Sequence, residues 1–436
     1  MPDKKSKNLV FSSPRNWNLP IASRFVFALC FLVVMLGAQS LAQTVTDLYD
    51  FTGGADGWDP DTPMIAGPDG SLYGTTFYGG YLNCPDGSGE GCGSVYRLSP
   101  SGGQWTESTL YQFRGGKDGC CNYSTLTLDQ VGNLYGVTDG GTPWNAVFQL
   151  TPGAPGKHWH FHLLYEFKGK RDGGYPLSPL FVDNSGAIYG ASQLGGLNGK
   201  GCSQQFGCGA VFQLVAPAHK DNPWTVNVLY EFQGASDGGD PISMIMDSTG
   251  AIYGTTEYGG AFNKNCPLGC GVIFELFPVN GTWAYKVLYT FHGTPHRSPI
   301  NLLEDASGNL YGLAGEFYGG GGDIFELSPP AAGNGPWTLS YLHRYGSTYS
   351  ATNLTLGPNG TLYGDIYGDQ DLNWGYIFQM TPPAQQGGAW TYTTLVNFNP
   401  LGYQNPAGVV VGLGGDLYSP LSGGGYGNGS IVSVVP

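Results

Sequence analysis

The sequence predicts an all-β protein: a seven-bladed β-propeller with four antiparallel strands per blade, closed by an N-terminal outer strand that completes the last blade. Three observations predict it. A glycine–aliphatic–tyrosine phrase recurs seven times, centred on Tyr73, Tyr135, Tyr189, Tyr253, Tyr311, Tyr363 and Tyr418, at intervals of 52 to 64 residues. Three further β-favouring phrases accompany it in fixed order, so each unit holds four short strands. Glycine supplies 73 of 436 residues and charged side chains only 11%, a balance that suits dense turns and strands better than solvated helices. A repeat of this length settles architecture before any local reading, and four antiparallel strands per repeat define a propeller blade.

The chain begins with a segment that reads as a signal peptide over residues 1–42. Lys4, Lys5, Lys7, Arg15 and Arg24 precede an apolar run from Phe25 to Ala38, and Ser40-Leu41-Ala42 supplies small residues for cleavage. The run is too short to span a bilayer comfortably. Residues 43–436 then form one propeller domain. Removing the leader takes the formal charge from −14 to −18, because five basic residues leave with one acidic residue. Such a surface argues against nucleic acid and anionic membrane as partners. No second hydrophobic span follows, and a secreted, periplasmic or cell-surface monomer is expected.

Within each unit the strands are named A to D in chain order. Strand A is short and often Pro-led, as at Pro241–Met246, Pro299–Leu303 and Pro63–Ala66. A tight turn links it to strand B, the tyrosine phrase. Four copies open that turn with Asp129, Asp183, Asp247 or Asp305, three residues before its glycine. Strand C is the run exemplified by Ile273-Phe274-Glu275-Leu276. Strand D starts at a tryptophan, and in Trp283, Tyr285, Val287, Tyr289 and Phe291 the apolar side chains alternate, which is the period of a strand with one buried face. Tight A-to-B and C-to-D turns leave the long B-to-C and D-to-A connections on one face. Residues 46–51 match the end of a D strand with no preceding A, B or C, while the last unit lacks D. The two fragments should pair antiparallel and remove the exposed edges of an open ring.

The phrases Gly250-Ala251-Ile252-Tyr253-Gly254-Thr255-Thr256, Gly259-Gly260, Ile273 to Leu276 and Trp283 to Phe291 resemble the GloVer-type tandem repeat of the choice-of-anchor family of exported bacterial proteins. So do Asp56-Gly57, Asp118-Gly119, Asp172-Gly173 and Asp237-Gly238 before strand A. The resemblance covers residues 45–435 and implies export. It transfers no catalytic residue.

Candidate chemistry is sparse. The mature chain has eight cysteines, which favours disulfides in an exported protein. Cys84 and Cys92, Cys202 and Cys208, and Cys266 and Cys270 occupy equivalent B-to-C loops, so three local bridges are expected. Cys120 and Cys121 are adjacent and either bridge to each other or stay reduced. Tyr78, Tyr258, Tyr318, Tyr367 and Tyr426 follow strand B and should ring the loop face, where aromatic rings suit sugars and protein partners. Packing over their own glycine loops is the bland alternative. Asp56, Asp59 and Asp61 crowd one loop and offer the hard oxygens that Ca²⁺ takes, without EF-hand spacing. His158, His160 and His162 alternate along one strand as zinc or copper ligands can, though an exposed edge explains them as well. Neither group is a strong metal site, and no cofactor is expected. There is no Gly-x-Ser-x-Gly elbow and no phosphate-binding loop. The favoured reading is a scaffold that binds carbohydrate or a cell-surface partner. The competing reading is an enzyme acting on polysaccharide, a glycoside hydrolase or lyase, with Glu257 and Glu316 as its carboxylates.

Overall fold

The tyrosine phrase folds as it does because its glycine is covered. In the computed structural model Gly254 of strand B pairs with Phe274 of strand C, and a Cβ on Gly254 would lie 2.3 Å from the phenyl ring. Gly74 with Tyr96, Gly136 with Phe148, Gly190 with Phe212, Gly312 with Phe325 and Gly364 with Phe378 repeat the arrangement. In the seventh unit Ser419 stands opposite Val432 instead. The smaller partner leaves room for a side chain, so the two positions change together.

The structure describes residues 45–436 apart from 86–88, 121–123, 141, 155–158, 203–205, 220–221, 294–296, 317–319, 332, 334, 346–349, 368–374, 386, 399–404 and 424–426; the side chains of 139, 140, 142, 143, 316, 320, 321, 350 and 367 also lie outside it. The described residues form seven four-stranded antiparallel sheets, each ordered A–B–C–D. In the fourth unit the strands are Gly239–Met246, Ile252–Tyr258, Val272–Val279 and Thr282–Thr290. No helix among the described residues is long and apolar enough to cross a membrane.

Each sheet has its own A-to-B staple. Asp305 Oδ1 accepts the amides of Ser307 and Asn309 at 2.8 and 2.9 Å, and the Tyr311 hydroxyl donates to Oδ2 at 3.1 Å. Asp129 with Tyr135 and Asp183 with Tyr189 do the same at 3.1 Å. Gly67, Gly357 and Gly412 replace the aspartate in the first and the last two units, and there the ring of Tyr73, Tyr363 or Tyr418 covers the glycine, 2.4 to 2.9 Å from where a Cβ would be.

Strand D departs from plain alternation. A bulge interrupts every C–D pairing and falls at a leucine: Leu110, Leu164, Leu229, Leu288, Leu342 and Leu395. The extra residue turns its side chain toward the core, and Leu288 is 8% exposed. The N-terminal strand Val45–Asp50 pairs with Ser430–Val434 and carries the same irregularity at Leu48. It is therefore a complete D strand donated to the last sheet, as the fragment match requires.

Seven apolar clusters close the ring, one between each pair of neighbouring sheets. Phe51 and Ile431 meet Leu72 and Leu98 across the last and first units. Phe232 and Val211 meet Met244 and Ile252 across the third and fourth. Tyr230 stacks on Tyr285 across that same seam, with centroids 4.0 Å apart and planes 8° apart. Strand-D tryptophans reach back to the tyrosine of the preceding unit, as Trp390 does to Tyr311 and Trp105 to Tyr418.

Strand A is shorter than the sequence suggests in units one, two, three and seven, where only Ile65–Ala66, Thr127–Leu128, Phe181–Val182 and Val410–Val411 pair. In units one and three one extra residue separates the positive-φ residue, Asp59 or Tyr175, from the buried Met64 or Leu180, compared with Asp240 to Met244. Pro63 and Pro179 fall in that stretch and have no amide to donate. Neighbouring A strands are tied together: the Thr127 hydroxyl donates to Leu180 O at 2.6 Å, and the Leu302 amide donates to Ser243 Oγ at 3.0 Å.

Candidate binding face

The loop face is assembled from the D-to-A and B-to-C connections, which hydrogen-bond within each unit. Gly80 donates to Gly54 O at 2.8 Å, Gly196 to Lys170 O and Gly260 to Ala235 O at 2.7 Å. Gly79, Gly195 and Gly259 lie so close to the Asp-Gly turn that a Cβ would meet Gly57, Gly173 or Gly238 Cα at 2.4 to 2.6 Å. All three have positive φ.

The aspartate of the Asp-Gly turn is a staple. Tyr49 donates to Asp56 Oδ2 at 2.9 Å, and the Thr52 amide to the same oxygen at 2.7 Å. Tyr111 with Asp118, Tyr165 with Asp172 and Tyr230 with Asp237 repeat it at 2.6, 3.0 and 2.9 Å. Burial works to raise the Asp56 carboxyl, but the Thr52 hydroxyl, the Thr52 amide and Tyr49 outweigh it and hold it below the ordinary range. Asp56 thus serves the turn, and its oxygens are engaged.

Each loop then docks on the preceding unit. The amides of Asp240 and Ser298 donate to Cys208 O and Cys270 O at 2.8 and 3.0 Å, and that of Asp59 donates to Asn428 O at 2.8 Å. Asp59, Tyr175, Asp240 and Ser298 all hold positive φ, between 49° and 60°. Three disulfides close the B-to-C loops, Cys84–Cys92, Cys202–Cys208 and Cys266–Cys270, over separations of 8, 6 and 4 residues. All six sulfurs belong to the buried seams between units. Cys121 lies outside the described residues, and with it the question of a Cys120–Cys121 bridge.

Of the candidate tyrosines, Tyr78 and Tyr258 are half-buried on this face. Tyr78 stacks on Trp58 with centroids 4.4 Å apart. Tyr258 ends its strand beside Glu257. Tyr367 closes strand B of the sixth unit, its side chain outside the described set, as are Tyr318 and Tyr426 entirely. Burial raises the Glu257 carboxyl, opposed by its hydrogen bond from Tyr258 and by the charge of Arg297. Glu316 ends strand B of the fifth unit, and its side chain is outside the described set, so its geometry with Glu257 is too. His160 and His162 are exposed on the outer strand, where Thr151 Oγ1 lies 3.3 Å from His162 Nε2; His158 is outside the described residues. Among the described residues no three of His, Cys, Asp and Glu come together as metal ligands.

Asp61 is solvent-exposed on the D-to-A loop, four residues before strand Ile65–Ala66, with protein filling much of the volume around it. That environment pushes its carboxyl up to about 6, with the charge of Asp59 adding. Burial raises Asp59 as well. Burial pushes the fully buried Asp365 carboxyl up to about 7, opposed by hydrogen bonds from the Thr352 hydroxyl and the Gly408 amide, and the charge of Asp61 adds a smaller rise. The Thr352 hydroxyl donates to Asp365 Oδ2, while Oδ1 has no hydrogen-bond partner. Sequence reasoning missed Trp58 and Asp365. The available signal was a break in the repeat: Gly174 and Gly239 stand where the first unit has Trp58.

A disulfide-closed loop face on a seven-bladed, all-β ring defines the class: a repeat propeller. The chain belongs to the Gloeobacter/Verrucomicrobia repeat family, whose repeat matches residues 36–203, 142–370 and 202–433. No curated protein sequence matches. Among solved structures it is similar to a fungal alcohol oxidase of the AA5 family in complex with copper, at 12% identity and TM-score 0.53, covering 90% of this chain and 76% of that one. It is also similar to the extracellular domain of a protein described as a one-component system from B. thetaiotaomicron, at 10% identity and TM-score 0.51, covering 90% of this chain and 40% of that one. At these identities the likeness is one of fold.

Proposed function

We propose that this protein is an exported binding propeller that recognises carbohydrate on a glycan or cell surface through its loop face. One observation carries the reading. Tyr81, Leu82, Leu197, Phe206 and Leu268, each 38 to 52% exposed, all lie on the three B-to-C loops that carry a disulfide, Phe206 and Leu268 within the closed rings and the others just before them. Exposed aromatic and aliphatic side chains held on short, cross-linked loops are pre-organised contact surface, which reduces the ordering cost of binding. Disulfides are consistent with an oxidising compartment, and the basic, apolar N-terminal segment supplies an export signal. A glycan array probed with the purified protein tests the reading. Retention of a defined glycan class without its cleavage is the expected result. Cleavage of the bound chain, abolished by Glu257→Gln, would replace the scaffold with an enzyme.

A further inference from the structure

We propose that a cleft at the turn-face end of the seam between the last and first units is a second saccharide site, taking a neutral sugar against Trp105 and Tyr418. This site is separate from the loop face and does not depend on it.

Every sheet carries a row of three residues directly opposite one another on strands B, C and D, and such cross-strand neighbours share one face of the sheet. In the third unit the row is Tyr189, Gln213 and Asn227. Hydrogen bonds run along its whole length. Asn227 Nδ2 donates to Gln213 Oε1 at 3.2 Å, Gln213 Nε2 donates to the Tyr189 hydroxyl at 2.7 Å, and that hydroxyl donates to Asp183 Oδ2 at 3.1 Å. The second unit repeats the last two links with Gln149, Tyr135 and Asp129, at 2.7 and 3.1 Å. The first, fourth, fifth and sixth units also place a long polar side chain opposite the tyrosine: Arg97, Glu275, Glu326 and Gln379.

The seventh unit breaks this rule. Its row is Tyr418, Ser433 and Thr46. Ser433 is too short to reach the tyrosine hydroxyl, and Gly412 stands where the second and third units have the accepting aspartate. No described residue hydrogen-bonds the Tyr418 hydroxyl. Beside this shortened row lies a cleft of about 470 Å³, lined by all three row residues and by Gln104, Trp105 and Asp416. Trp105 comes from the first unit. Its indole meets the Tyr418 ring edge-on, with centroids 5.4 Å apart and 66° between planes. The two rings thus form an aromatic corner joined to the polar row.

The volume is that of a small-molecule site. Its three hydroxyls and the Gln104 carboxamide can both donate and accept, while Asp416 accepts. A sugar offers donors and acceptors at that density, together with an apolar ring face for the indole. An ammonium ion carries no acceptor and would leave the donors unanswered. An anionic sugar would meet the carboxylates of Asp47 and Asp416, which both border the cleft. A neutral saccharide fits every lining group.

Titration calorimetry on the purified protein with cellotetraose, maltotetraose, mannotetraose, xylotetraose and tetragalacturonate tests the site. At least one neutral tetraose should bind, and tetragalacturonate should not. Ser433→Gln installs the side chain with which the second and third units bond their tyrosine. It should weaken the binding about tenfold or more, with the melting temperature unchanged or raised. Tyr418→Phe removes a hydroxyl that the fold does not use, and should weaken binding about fivefold without altering melting. Neutral binding that both variants leave unchanged overturns the cleft and leaves the loop face as the place where the sugar is held. Failure of all four neutral tetraoses overturns the cleft whatever the glycan array shows for the loop face. Tetragalacturonate binding as tightly as the neutral oligomers overturns the choice of a neutral sugar.

Discussion

On the turn face, Asp129, Asp183 and Asp305 accept the hydroxyls of Tyr135, Tyr189 and Tyr311 at the same 3.1 Å. On the loop face, the residue before the positive-φ position is Trp58, Gly174, Gly239 or Arg297. The turn face alternates between two forms, an aspartate that takes the tyrosine hydroxyl and a glycine that the ring covers, while on the loop face the residue before the positive-φ position changes from unit to unit on a constant backbone. The turn face, with the seams beneath it, carries the fold. The loop face carries whatever distinguishes one unit from the next, which is where a binding surface is expected in a repeat protein.

The largest test of this division is removal of residues 1–51. The last sheet loses its outer strand and Phe51 leaves the first seam, so the ring should fail to close and circular dichroism should show no cooperative melt. A ring that folds normally without them would break the closure argument. Next, Phe274→Ala empties the pocket over Gly254 at a fully buried site and should cost about 3–5 kcal/mol in denaturant unfolding. On the loop face, replacing Cys266 and Cys270 together by Ser should cost at most about 2 kcal/mol, because the closed loop is short. Its clearer signature should be faster proteolysis between residues 259 and 271, with the cooperative melt of the ring retained.

Asp365 sharpens the comparison through pH. Its folded carboxyl stands at about 7, above the usual 3.8, so the native state keeps a proton that the unfolded chain has already released. Stability from this group is full below about pH 4 and is lost as pH rises through 7. The wild-type midpoint should therefore fall between about pH 4 and 7, and Asp365→Asn should flatten that dependence. The smallest effect separates two kinds of turn. Tyr311→Phe deletes a hydrogen bond to Asp305 and should cost about 1 kcal/mol. Tyr363→Phe, where the ring covers Gly357 and no turn aspartate is present, should cost nearly nothing.

Much of this architecture was legible in the chain itself. The seven tyrosine phrases, the unmatched D-like fragment at residues 46–51 and the three cysteine pairs each have a local pattern, and each appears in the fold as expected. The bulges at Leu110 to Leu395 were not legible, because an extra residue in one strand is defined only against its partner. The shortened A strands of units one and three were missed for a related reason: Pro63 and Pro179 matter only once the neighbouring strand asks for an amide. The candidate site was the least legible part. Asp56 reads in the sequence as a weak Ca²⁺ candidate or an ordinary turn residue, and only the folded turn shows its oxygens engaged by Tyr49 and Thr52.

What the sequence by itself determined is whatever recurs: four strands per unit, seven units, the Asp-Gly and glycine-pair loops, the cysteine partners. Repetition makes these readable, because a local requirement met seven times stands out above chance. What only the tertiary structure decided is what happens between units. The covered glycines are paired with aromatics two dozen residues or fewer away, but Asp61 and Asp365 are more than 300 residues apart in the chain. They act on each other only because ring closure brings the first unit close to the sixth. Electrostatics depends on distance through space, and no periodicity along the chain records that distance.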